Sequence, residues 1–180
     1  QVRCAAQGAL GNVGGEKALA FAKRALASQD TGERIGAIAV LSRMDGDKEA
    51  EALIEQALAD PNTVVRSSVV WSLDLGCGKK ELALLRKGLA DQHAWVRNSA
   101  AVKLERFAGD QARVLLLEQL VKEKDETVLK TISRALRTRF GDDPAVVKAL
   151  QDLERAKPEP DQPQGESPPE VPAAEVDKLF

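Results

Sequence analysis

Glycines stand at positions 15, 46, 78, 109 and 141, so they recur every 31 or 32 residues. Thirteen residues before each lie Val2, Glu33, Val65, Val96 and Val128, and five before each lie Leu10, Leu41, Leu73, Leu104 and Leu136. Arginine follows the first four starting points, as Arg3, Arg34, Arg66 and Arg97, while the fifth has Leu129. A second leucine set, Leu26, Leu58, Leu89, Leu120 and Leu153, falls between the units. A unit this short cannot bury an apolar face alone. It must stack on copies of itself, and such a chain becomes a quasi-one-dimensional array.

Each unit reads as two helices. In the stretch DKEAEALIEQALAD, Ala50, Leu53, Ile54, Ala57 and Leu58 recur at steps of three and four, the period of an amphipathic helix. Asp47 and Asp110 stand where an N-cap belongs, and Asp143-Pro144 reads as a cap followed by proline at the first helical position. Asp60-Pro61 and Asp91 mark the start of second helices, which the glycines close in a left-handed C′ position. Aromatics are 3% of the chain and tyrosine is absent. The core is therefore built from Leu, Ala and Val, which suits packed helices. The expectation is an all-α, right-handed α-solenoid of stacked antiparallel helix pairs over residues 1–156: four full pairs and a lone helix at each end. The unpartnered first helix, residues 1–14, reads as a continuation of missing upstream sequence.

The units DPNTVVRSSVVWSLDLGCG and DQHAWVRNSAAVKLERFAG carry D-x-x-x-x-V-R-x-x-x-x-x-x-L with a closing glycine. This pattern resembles HEAT repeats, and the short period is similar to that of the HEAT-like repeats of phycobilisome lyases. The resemblance covers residues 1–156. It implies second helices lining a concave face and, most often, protein–protein scaffolding. The family also occurs as domains appended to enzymes, in bilin lyases and in a few DNA glycosylases.

In the second helices, offsets 0, 4, 8 and 11 from the unit start read as core, and offsets 2, 6, 9 and 10 point outwards. The outward set includes Ile35, Ser67, Trp71, Leu75 and Val102 on the first units and Lys130, Arg134 and Arg137 on the last. Ile35, Trp71, Leu75 and Val102 then form an apolar spot, and tryptophan is a favoured interface anchor. Burial of Trp71 against its neighbours is the other reading. Trp95 reads as a cap on the stack. The arginine column reads as an anion-binding stripe or as a structural ladder, Arg3, Arg34, Arg66 and Arg97, with Asp30, Asp60 and Asp91 as acceptors. The ladder is preferred, because aspartates stand four or six residues before these arginines.

The one histidine, His93, has no cluster of metal ligands around it in sequence, so no metal site, cofactor or catalytic residue is expected. Cys4 and Cys77 fall two units apart and are expected to be free and buried. No apolar run approaches ~20 residues, so no membrane span is expected, and a net charge of −2 gives no argument for nucleic acid. Residues 157–180 hold six of the eight prolines and six carboxylates against Lys157 and Lys178, the composition of a disordered acidic tail. Its end, EVDKLF, reads either as a bare terminus or as a docking motif of Val176, Leu179 and Phe180. The tail's charge is opposite to that of the unit bearing Lys130, Arg134, Arg137 and Arg139. The expected function is a non-catalytic scaffold that takes another protein or peptide on its concave face. The alternatives are a C-terminal accessory domain of a metallopeptidase or lyase and, least of all, a DNA glycosylase.

Overall fold

The computed structural model of the chain describes residues 15–73, 78–107 and 109–156. These form helices α1 (Gly15–Leu26), α2 (Thr31–Leu41), α3 (Lys48–Ala57), α4 (Thr63–Ser72), α5 (Lys79–Leu89), α6 (Ala94–Arg106), α7 (Asp110–Lys122), α8 (Glu126–Phe140) and α9 (Pro144–Arg155). No strand occurs among the described residues. Four consecutive pairs, α1–α2 to α7–α8, are followed by α9, an α-solenoid built from the repeat read in the sequence.

Side-chain caps start most of the helices. Asp30, Asp47, Asn62, His93, Asp125 and Asp143 each accept a backbone N–H of the first turn, which satisfies donors left over at a helix N-terminus. Pro144 follows Asp143 at the start of α9. Three expectations need correction here. Asp110 is the first residue of α7, not its cap, which is Gly109. Asp60 and Asp91 lie two residues before the caps Asn62 and His93, and each accepts the cap residue's own N–H at 2.8 Å. Trp95 is no cap on the stack: it is the second residue of α6 and 57% exposed.

The spaced glycines do not share one backbone shape. Gly46 takes φ 81°, the left-handed turn expected after a helix. Gly141 is right-handed at φ −61°, and there an added Cβ would meet the Arg137 carbonyl oxygen at 2.6 Å. Close approach of the backbone, not handedness, selects that glycine.

Among the described residues, the core columns at offsets 0, 4 and 8 lie where the spacing put them except at Glu33, which is exposed. Val65, Val69, Leu73, Val96, Ala100, Leu104, Val128, Ile132 and Leu136 are all buried. The column at offset 11 is different, with Met44 and Phe107 half-buried and Arg139 exposed. Second helices pack on one another in series, α2 on α4, α4 on α6 and α6 on α8. In the layer of first helices α1 meets α3 and α5 meets α7, while α3 and α5, like α7 and α9, approach less closely. The core divides at the first of these places. Val65 and Val69 of α4 join the cluster reaching back to Ala22, and Val70 and Leu73 join the one reaching on to Leu150. Leu58 and Leu84 touch both.

Candidate functional site on the second helices

The outward residues of the second helices form a surface graded in character. Its first part is Ile35, half-buried on α2, then Trp71 on α4, 46% exposed, then Val102, half-buried on α6. Its last part is Lys130, Arg134 and Arg137, exposed at helical spacing on α8. Ser67 does not belong to this surface. It is buried, its hydroxyl 3.1 Å from that of Ser99, because two small side chains let α4 and α6 approach closely. Leu75 and Arg3 lie outside the described residues, as do Cys4 and Cys77.

Lys103, which the spacing did not single out, shapes the tryptophan. Its stem is buried, and its Nζ donates to the Leu73 carbonyl at 3.0 Å and sits 5.6 Å from the centre of the Trp71 ring. A cation at that range is attracted to the ring's electron-rich face and fixes the indole without covering it. Each of these three basic side chains on α8 has an ion-pair partner. Arg134 pairs with Glu105 across the repeat at 3.0 Å, Lys130 with Glu126, and Arg137 with Glu154 of α9. These are exposed pairs, which contribute about 0–1 kcal/mol each.

The arginine column faces the turns between repeats and forms a chain of bidentate pairs running forward. Arg34 donates to Asp60, Arg66 to Asp91 and Arg97 to Glu123, with Nε distances of 2.8, 2.7 and 2.8 Å. Each Nη1 also donates to two backbone carbonyls of the arginine's own turn. The aspartate six residues before Arg66 or Arg97 thus offers its backbone to that arginine and its carboxylate to the preceding one. Asp30 caps α2 through Glu33 N–H and takes no bond from Arg34. Glu123 was missed by reading only aspartates, although it stands 32 residues after Asp91 in the same column.

Burial alone would raise the Glu123 carboxyl. The Arg97 guanidinium, the backbone N–H groups of Asp125 and Lys124 and the Gln119 amide outweigh it and hold the carboxyl at about 2. Burial likewise opposes ionisation of Asp91, and the Arg66 guanidinium and the His93 N–H overcome it, so that carboxyl also lies below its ordinary value. Four of the five N–H donors of each guanidinium are thus engaged within and between the turns.

A cleft of about 700 Å³ opens where α3 and α5 part. Leu41, Met44, Ile54, Leu73 and Leu84 contribute its apolar lining, and the pairs Lys80–Glu51 and Lys87–Glu55 join its two sides. Among the described residues no group of three or more His, Cys, Asp or Glu is placed to hold a metal ion. No helix among them is long and apolar enough to cross a membrane.

No curated protein matches the chain. A family model described as HEAT repeats matches residues 1–74. The helix pairing of that segment continues through α8 in the same register. Over residues 1–74 the chain is similar to HEAT repeats, and its described residues form an all-α solenoid.

Proposed function

We propose that the chain is a non-catalytic scaffold that holds another protein or a peptide along the outward surface of its second helices. HEAT repeats are commonly protein-interaction scaffolds. The second helices pack in an unbroken series while the first helices part at α3 and α5, as in a stack curved toward its second helices. The observation that carries the reading is Trp71: a large aromatic side chain, 46% exposed, held in place by Lys103. An indole ordered before binding loses little entropy on binding, which is what makes tryptophan an effective anchor. The basic stripe on α8 adds a preference for acidic sequence beside the anchor.

The test is selection from a random peptide library displayed on phage, against the immobilised chain and against Trp71→Ala. Peptides that bind the parent at least about tenfold better, worth about 1.4 kcal/mol, and that carry acidic residues beside an apolar one, support the reading. Peptides that bind both chains equally overturn it. Circular dichroism and melting of Trp71→Ala report whether the fold survives the substitution.

A further inference from the structure

We infer that the chain's own residues 158–180 occupy the second-helix surface in the absence of a partner, laying their acidic part on Lys130, Arg134 and Arg137 and their apolar end on Trp71. The inference rests on the scaffold reading and adds a regulator to the same site. Three observations meet in it.

The first is where the segment starts. Glu154, two residues before the end of the described chain, is ion-paired with Arg137. The backbone therefore leaves α9 beside the basic stripe.

The second is the order of chemistry. From α8 back to α2 the surface runs from basic, at Arg137, Arg134 and Lys130, to apolar, at Val102, Trp71 and Ile35. From its start the segment runs from Glu159, Asp161, Glu166 and Glu170 to EVDKLF, where Glu175, Asp177 and Lys178 stand among Val176, Leu179 and Phe180 and the last two residues are apolar. The two orders match when the segment is laid from its point of exit toward α2. In the opposite direction the acids would lie on the apolar part.

The third is length. Neighbouring helices pack ~8–10 Å apart, so α8 to α4 is about 20 Å and α8 to α2 about 30 Å. Lys157 to Glu175 is 19 residues, and at ~3.1 Å per residue in the extended form that proline favours they reach about 60 Å. Tethering at such reach gives an effective concentration on the order of millimolar. Weak individual contacts then suffice for partial occupancy, and a partner with a higher affinity displaces the segment.

The experiment uses the full chain with Trp95→Phe, which leaves Trp71 as the only tryptophan. Acrylamide quenching of Trp71 is compared in that chain, in the same chain with Leu179→Ser and Phe180→Ser, and in the same chain with Glu159, Asp161, Glu166 and Glu170 changed to their amides. A tethered segment at about half occupancy predicts a quenching constant about twofold higher in either variant at low salt. In the parent, the constant should rise to the variants' level in ~1 M salt, where the Debye length is about 3 Å. Backbone amide shifts of residues 130–137 should move with the acidic substitutions. Equal quenching in all three chains, or shift changes centred on Ile54 and Leu84 in the cleft, overturns the inference. If peptide capture still depends on Trp71 in that case, the fold-back alone fails. If quenching responds but capture ignores Trp71, the scaffold reading fails.

Discussion

Arg97 and Glu123 meet across a repeat boundary as a two-point pair, Nη2 to Oε1 at 2.7 Å and Nε to Oε2 at 2.8 Å, with the carboxylate side chain 1% exposed. The carboxyl is held at about 2 against an ordinary 4.5. A depressed carboxyl stabilises the fold above its unfolded pKa, and that contribution fades as pH falls toward the folded value. The contribution at neutral pH is about 3 kcal/mol. Urea unfolding of the parent and of Glu123→Gln should differ by about that much at neutral pH and converge as the pH falls from 4.5 to about 2. A constant difference across that window would show that the pair does not set the acid limb.

Arg66 and Lys87 both join neighbouring repeats by an ion pair, yet their removal should differ sharply. Arg66→Met strands the nearly buried carboxylate of Asp91 and two turn carbonyls, at a cost of about 3–5 kcal/mol. Lys87→Ala removes an exposed partner of Glu55 and should cost less than ~1 kcal/mol. Denaturant midpoints of the two variants decide the matter. Similar losses would mean that burial does not rank these pairs.

Leu104 is fully buried in the cluster shared by α4 to α9. Leu104→Ala should cost about 2–5 kcal/mol, the range for emptying a packed position. A melting curve equal to the parent's would refute the assigned register of α6.

Gly88 lies where α5 crosses α4 and α6, and a Cβ there would stand 3.1 Å from both Ala100 Cβ and Val70 Cγ2. Gly88→Val adds a branched side chain to that crossing and should destabilise by about 1–3 kcal/mol, although glycine is the poorer helix former. Increased stability of this variant in thermal melts would show that the helices have room to separate.

The columns at offsets 0, 4 and 8 were legible because burial repeats with the helix period, and Trp71 was legible as outward for the same reason. Ser67 was misread by that rule. Its burial depends on how closely α4 and α6 approach, which the size of Ser67 and Ser99 decides and periodicity does not. The direction of the arginine pairs was hidden because proximity in sequence favours the aspartate six residues back. An extended guanidinium reaches past its own turn to the next. Lys103 was hidden because a lysine stem packs as an apolar chain while its charge stays polar. The parting of α3 and α5 leaves no mark in the spacing of leucines, which records which residues are buried but not the tilt between successive pairs.

That parting bears on how the array yields under load. Around α4 the layer of second helices is continuous, whereas the layer of first helices is interrupted by the cleft and bridged by Lys80–Glu51 and Lys87–Glu55. A strip bonded along one side and gapped along the other is compliant in one bending direction and stiff in the rest. The gap is bridged by flexible lysine side chains, whereas the turns are tied by the less exposed pairs Arg34–Asp60 and Arg66–Asp91. Bending along that direction is therefore expected to change the curvature of the surface carrying Ile35, Trp71 and Val102 most readily. The array is built like a leaf spring, with one direction of easy bend.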